Sequence, residues 1–164
     1  MSKSFNNRIK SYFTRCQMAS LKNKIVLDNN NIYISDSYSI VKLFNNDFIN
    51  KNKNDIIESF DQCDYLMANQ LLNLYNNFEE LNFNINDDIF SFENNEKMTF
   101  CNFLENKIMF DYNKILKIIK IINKGKFENI EFFTSEKEKN TICIVGCDGI
   151  AYLLGCVTFW KNTK

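Results

Sequence analysis

Residues 107–159 read KIMFDYNKILKIIKIINKGKFENIEFFTSEKEKNTICIVGCDGIAYLLGCVTF. From Tyr112 to Lys124, apolar residues fall at Tyr112, Ile115, Leu116, Ile119 and Ile122, the spacing of one helical face. Ile118 and Ile121 widen that face. Lys114, Lys117, Lys120 and Lys124 lie three or four apart and form a single stripe on what remains. Asp111 stands where an N-cap belongs, and Gly125 where a helix stops. KIMFD before the helix reads as a strand. NIEFFTSE, NTICIVG and IAYLLGCVTF after it read as three more, rich in β-branched and aromatic residues. Asp148-Gly149 predicts a two-residue hairpin turn. The near-continuous apolar run Ile150–Phe159 predicts a strand buried on both faces. Glu136-Lys137-Glu138-Lys139 reads as a charged hairpin tip.

The rest of the chain carries weaker versions of this unit. Phe5, Ile9, Tyr12, Phe13 and Cys16 predict a helix from Phe5 to Leu21, with Ser4 as a cap and Arg8, Arg15 and Lys22 seven apart along one flank. Strands follow at Lys24–Asp28, Ile32–Asp36 and Tyr38–Phe44, the first two separated by the Asn29–Asn31 turn cluster. The polar stretch Asn45–Asn54 reads as a loop. Asp55–Leu81 has helical spacing, as one helix or as two with a break near Cys63-Asp64. Its exposed side carries Glu58, Asp61, Asp64, Glu79 and Glu80. Three short apolar runs complete residues 81–104. The order helix, then three strands, thus recurs at intervals of about 50 residues. It divides the chain into units 1–50, 51–106 and 107–164 of one compact α+β domain. The clearest echo sets Ser35-Asp36-Ser37-Tyr38-Ser39-Ile40-Val41 beside Cys147-Asp148-Gly149-Ile150-Ala151-Tyr152-Leu153.

Composition removes several kinds of chemistry. The chain lacks His, so Ser–His nucleophiles and imidazole acid–base catalysis are excluded. Four glycines form no phosphate-cradling loop. Six cysteines show no C-x-x-C pair and read as buried free thiols. Asp87, Asp88, Glu93 and Glu96 have no ordered spacing and read as a solvated loop. No enzymatic activity, metal or cofactor is expected. No run approaches the ~18 apolar residues of a membrane span, and no signal peptide is visible, which predicts an intracellular protein, cytoplasmic or, in a eukaryotic host, nuclear. Abundant Asn, Lys, Ile and Phe, with no Pro, is the usage of AT-rich codons.

Net charge is zero but uneven. Residues 1–27 carry +6, residues 28–112 carry −10, residues 113–127 carry +5 and residues 128–164 carry −1. The basic excess falls on two predicted helices and the acidic excess between them.

This arrangement resembles the sliding-clamp fold. Clamp domains are built from paired βαβββ units, with helices lining a hole and sheets forming the outer wall. Residues 107–159 resemble one unit end to end, and residues 5–44 another with its first strand missing or very short. Cys147-Asp148-Gly149 is similar to the small-Asp-Gly turn of bacterial clamps, whereas Asp36-Ser37-Tyr38 lacks the Gly. The resemblance implies basic helices facing DNA phosphates, and a homo-oligomer if the protein is to enclose a duplex. The expected phosphate contacts are Arg8, Arg15, Lys22, Lys114, Lys117, Lys120 and Lys124. The alternative is a viral or mobile-element inhibitor that docks on a host nucleoprotein complex through Glu58, Asp61, Asp64, Glu79 and Glu80. A solvated helix face also accounts for either charged surface.

Overall fold

The helix of the 107–159 unit forms for the reasons its sequence suggests. Asp111 caps α4 (Tyr112–Ile122), its Oδ1 accepting from the backbone N–H groups of Asn113 and Lys114 at 3.0 and 3.3 Å. Ile115, Ile118, Ile119, Ile121 and Ile122 are all buried. Gly125, at φ +77°, ends the turn in the left-handed region that glycine enters without strain.

A computed structural model describes residues 2–13, 24–36, 38–60, 65–81, 83–85, 98–103, 106–126, 128–138 and 140–157. In chain order these form α1 (Ser2–Phe13), β1 (Lys24–Asp28), β2 (Asn31–Ser35), β3 (Ser39–Leu43), α2 (Asp47–Ser59), α3 (Tyr65–Glu79), β4 (Asn84–Ile85), β5 (Met98–Phe103), β6 (Asn106–Asp111), α4, β7 (Glu131–Thr134), β8 (Thr141–Val145), β9 (Gly149–Leu154) and β10 (Cys156–Val157). The architecture is α+β. A seven-stranded antiparallel sheet runs β1-β2-β3-β9-β8-β7-β4, and a second sheet runs β10-β6-β5.

Strand alternation gives the large sheet two buried faces. Ile32, Ile34, Val41, Leu43, Ile142, Ile144, Ala151 and Leu153 share a core with residues of α1, α2 and α4. Val26, Tyr33, Ile40, Cys143 and Tyr152 pack under Leu71 and Tyr75 of α3 on the other side. Among the described residues, three helices therefore cover one face and one helix the other. On the three-helix side, α2 runs alongside α1. Phe5 meets Phe48 edge-on at 5.1 Å, and Phe13 meets Phe60 at 6.1 Å.

The large sheet is built around an internal two-fold. Its strand order reads β1-β2-β3 from one side and β7-β8-β9 from the other, meeting at the β3–β9 pair. A shift of 110 residues carries α1 onto α4, Asn31–Ser35 onto Thr141–Val145 and Ser39–Leu43 onto the first five residues of β9. The same shift pairs core residues: Phe5 with Ile115, Ile9 with Ile119, Tyr12 with Ile122, Ile32 with Ile142, Ile34 with Ile144, and Leu43 with Leu153. It also pairs hydrogen bonds across the joint. Phe44 N donates to Asp148 O at 2.8 Å, and Leu154 N donates to Tyr38 O at 2.9 Å.

Three expectations change. Asn45–Asn54 is no loop: Asn46 accepts from Ile49 N and starts α2. The 51–106 segment contributes to both sheets, β4 to the large one and β5 to the small one. Its two helices lie on opposite faces of the large sheet, and β4 adds to the β7 edge of that sheet. The β8–β9 turn centres on Cys147-Asp148, with Gly146 N donating to Gly149 O at 2.9 Å, one residue earlier than Asp148-Gly149. The apolar run after Asp148 is two strands, β9 in the large sheet and β10 in the small one, divided at Gly155. Over Ala151, Tyr152 and Leu153 it is buried, with side chains in both cores. The charged tip is where it was expected, Glu136, Lys137 and Glu138 being exposed between β7 and β8.

Candidate nucleic-acid interface

The internal two-fold sets α1 and α4 antiparallel and side by side. At one end of the pair, Lys114 Nζ donates to Tyr12 O at 2.8 Å. Further along, Arg8 Nη1 donates to Lys120 O at 3.2 Å. Two basic helices from opposite ends of the chain thus become one surface.

The lysine stripe divides within that surface. Lys114 turns inward and forms an ion pair with Asp36. Its side chain is 12% exposed and that of Asp36 3%. Its Nζ also lies 3.6 Å from the centroid of the Tyr12 ring. A cation so occupied does not belong to a phosphate-facing set, which corrects its place among the expected contacts. The spacing was right, but Tyr12 of the neighbouring helix closes over the first turn of α4. Lys117 is half-buried, Lys120 exposed and Lys124 exposed. Lys124 lies past the helix end, its Nζ 4.8 Å from the Phe48 ring. Arg8 is half-buried beside Lys120. Arg15 and Lys22 lie outside the described residues. One exposed cation of this layer, Lys10 of α1, escaped the sequence reading because it breaks the seven-residue spacing of Arg8, Arg15 and Lys22.

The described acidic residues do not form one surface. Glu58 is exposed on α2, on the three-helix side, whereas Glu79 and Glu80 are exposed at the end of α3, on the other. Glu79 lies 3.7 Å from Lys42 Nζ, which also sits 5.3 Å from the centroid of the Tyr75 ring. Asp61 and Asp64 lie outside the described residues.

At the far end of α4 the β8–β9 turn satisfies the helix terminus. Asp148 N donates to Ile122 O at 2.8 Å and Cys147 N to Asn123 Oδ1 at 2.9 Å. Asn46, the cap of α2, donates its Nδ2 to Asp148 Oδ1 at 2.9 Å. Of the thiols, Cys143 is buried as expected and Cys147 is exposed. Burial pushes Cys143 up to about 12. Partial burial, and then the Asp148 carboxylate, raise Cys147 above the ordinary thiol range. The strand cysteine is therefore an inert core group at neutral pH. Among the described residues, no three His, Cys, Asp or Glu side chains converge as a metal site, and no helix is long and apolar enough to cross a membrane.

Comparison of the chain with protein-family models, curated proteins and solved structures finds no match.

Proposed function

We propose that this is a non-enzymatic, clamp-like protein that associates with nucleic acid through the α1–α4 layer, with Arg8, Lys117, Lys120 and Lys124 contacting phosphates. The observation that carries the reading is the Arg8–Lys120 cross-helix hydrogen bond, which brings the cations of α1 beside those of α4. Phosphate recognition requires only point charges held at backbone spacing, with no base-reading groups. Binding is accordingly sequence-independent and weakens with salt.

The test is fluorescence anisotropy on a labelled 20-base-pair DNA duplex across a salt series. Lys120→Glu with Lys124→Glu weakens binding and lowers the log–log salt slope by about 2, close to 1 for each lost phosphate contact. Unchanged affinity and slope in the double variant remove the assignment. Light scattering of the same samples reports whether several chains assemble, as enclosure of a duplex requires.

A second reading rests on α3. Leu66 and Leu74 are 67% and 46% exposed. They lie eight residues apart, about 12 Å along the same helix. Exposed leucines on the helix that ends at Glu79 suit protein–protein docking, as in an inhibitor of a host nucleoprotein complex. Under this reading Leu66→Asp abolishes partner binding, whereas charge reversal on α4 leaves it intact.

A further inference from the structure

The shift of 110 residues that carries α1, β2 and β3 onto α4, β8 and β9 also carries Lys10 onto Lys120. Both side chains are exposed. They lie on the same layer, one on each of two antiparallel helices. The contacts Arg8–Lys120 and Tyr12–Lys114 place the two-fold between α1 and α4 near Arg8 and Ile118, so each lysine stands about two residues from the axis. Neighbouring helices pack roughly 8–10 Å apart. The two exposed lysines therefore stand on either side of the axis, one on each helix.

From this we propose that Lys10 and Lys120 form a two-fold cation pair that selects double-stranded nucleic acid, each lysine taking a phosphate from one strand. The inference rests on the phosphate-binding reading above. The two strands of a duplex are antiparallel, so a duplex has local two-fold axes perpendicular to its length. A single strand has none. Symmetric proteins exploit this match when they place equivalent groups on opposite strands. Lys117, Lys124 and Arg8 have no counterpart of this kind: their equivalents under the shift are Asn7, Thr14 and Ile118. They add charge to the layer without discriminating strand number.

The experiment compares a 20-base-pair DNA duplex with a single strand of the same length, by anisotropy over a salt series. The wild type, Lys10→Glu, Lys120→Glu and the control Lys137→Glu at the exposed β7–β8 tip are measured, with thermal melts to show that each is folded. The proposal requires the wild type to prefer duplex. It also requires Lys10→Glu and Lys120→Glu to weaken duplex binding alike, each lowering the salt slope by about 1, with the control unchanged. If Lys120→Glu weakens binding and Lys10→Glu does not, the contact is one-sided and the symmetric pair is overturned, while phosphate binding stands. Equal wild-type affinity for duplex and single strand overturns strand selection in the same way. If the wild type binds neither probe, the phosphate-binding reading falls and this inference falls with it.

Discussion

Lys114 and Asp36 stand 78 residues apart in sequence, yet their charged groups pair inside the joint between the first helix of one half-sheet and that of the other. Asp36 is fully engaged: its Oδ1 accepts from Tyr38 N at 2.9 Å, from Ser39 N at 2.8 Å and from Ser39 Oγ at 2.8 Å. Tyr12 closes the network with its hydroxyl 2.5 Å from Ser39 Oγ. Under the two-fold, the counterparts of Lys114 and Asp36 are Ser4 and Gly146, so the other end of the helix pair has no such ion pair. The pair thus marks one end of an otherwise repetitive architecture.

Removing one partner of a buried pair leaves the other charge uncompensated, a loss of about 3–5 kcal/mol. Lys114→Ala is expected to lower the unfolding free energy obtained from urea titration by that amount, with a correspondingly lower midpoint. Lys114→Met, which keeps the apolar stem, is expected to lose less. A fold that retains its midpoint without Lys114 refutes the structural role. Duplex affinity of folded Lys114→Met matches the wild type, in contrast to Lys120→Glu, because the ammonium faces Asp36 and Tyr12.

The β8–β9 turn is closed by steric necessity at two glycines. A Cβ on Gly146 lies 2.6 Å from Ile122 O, and one on Gly149 lies 2.5 Å from Lys42 O. Both obstacles are backbone atoms, fixed by α4 and β3, and neither glycine has a positive φ. The residues are small for lack of space, not for backbone freedom. Gly146→Ala and Gly149→Ala are each expected to cost about 1–3 kcal/mol by chemical denaturation, as overpacking does. Gly125→Ala meets only the Lys120 side chain, at 3.7 Å, so its cost is the left-handed φ of +77° alone.

Asn46 joins two halves through one amide, capping α2 with Oδ1 and donating Nδ2 to the buried Asp148. Asp, Asn and Ser are comparable N-caps. Asn46→Ser therefore keeps the cap and loses only the link to Asp148. Asn46→Asp keeps the cap but sets a second carboxylate against Asp148, which is 4% exposed. Thermal melts are expected to rank wild type above Asn46→Ser and Asn46→Ser above Asn46→Asp. If Asn46→Asp equals the wild type, the amide serves the helix cap alone.

The two half-sheets were legible because their elements obey local rules: the Asp111 cap, the 3.6 period of the α4 isoleucines and the strand runs on either side. What escaped was set by tertiary structure or hidden by composition. In α2, Phe48, Ile49, Asn52 and Ile56 face inward at helical spacing, but the Asn and Lys between them read as a loop. Asn52 is buried and donates to Phe48 O at 2.8 Å, an interior use of a residue common on surfaces. The sequence echo matched Asp36 to Asp148, a shift of 112, while the fold repeats at 110. Identity aligned the two carboxylates, but in the fold Asp36 occupies the place of Gly146 and Asp148 that of Tyr38. Lys114 shares the spacing of its stripe, and nothing local reveals that Tyr12 and Asp36 enclose it.

The α3 face predicts how the protein responds to alkali. Burial pushes Cys143 up to about 12 and also raises Tyr75, Tyr152 and Tyr33 above the ordinary phenol range. These rings form a contact chain, Tyr33 to Tyr75 at 5.1 Å and Tyr75 to Tyr152 at 5.5 Å. Each raised group holds its proton in the folded state at a pH where the unfolded chain has released it. The unfolded state then binds fewer protons, so stability falls as pH rises. The contribution from Cys143 is complete below the unfolded thiol value, near 8.5, and is lost as pH climbs through about 12. The phenols extend the loss from about pH 10 upward. Urea midpoints are expected to decline steadily above pH 9, and Cys143→Ala is expected to flatten the first part of that decline while lowering the midpoint at neutral pH. Equal slopes in the variant and the wild type between pH 9 and pH 10 rule out the thiol as a source of the alkaline loss.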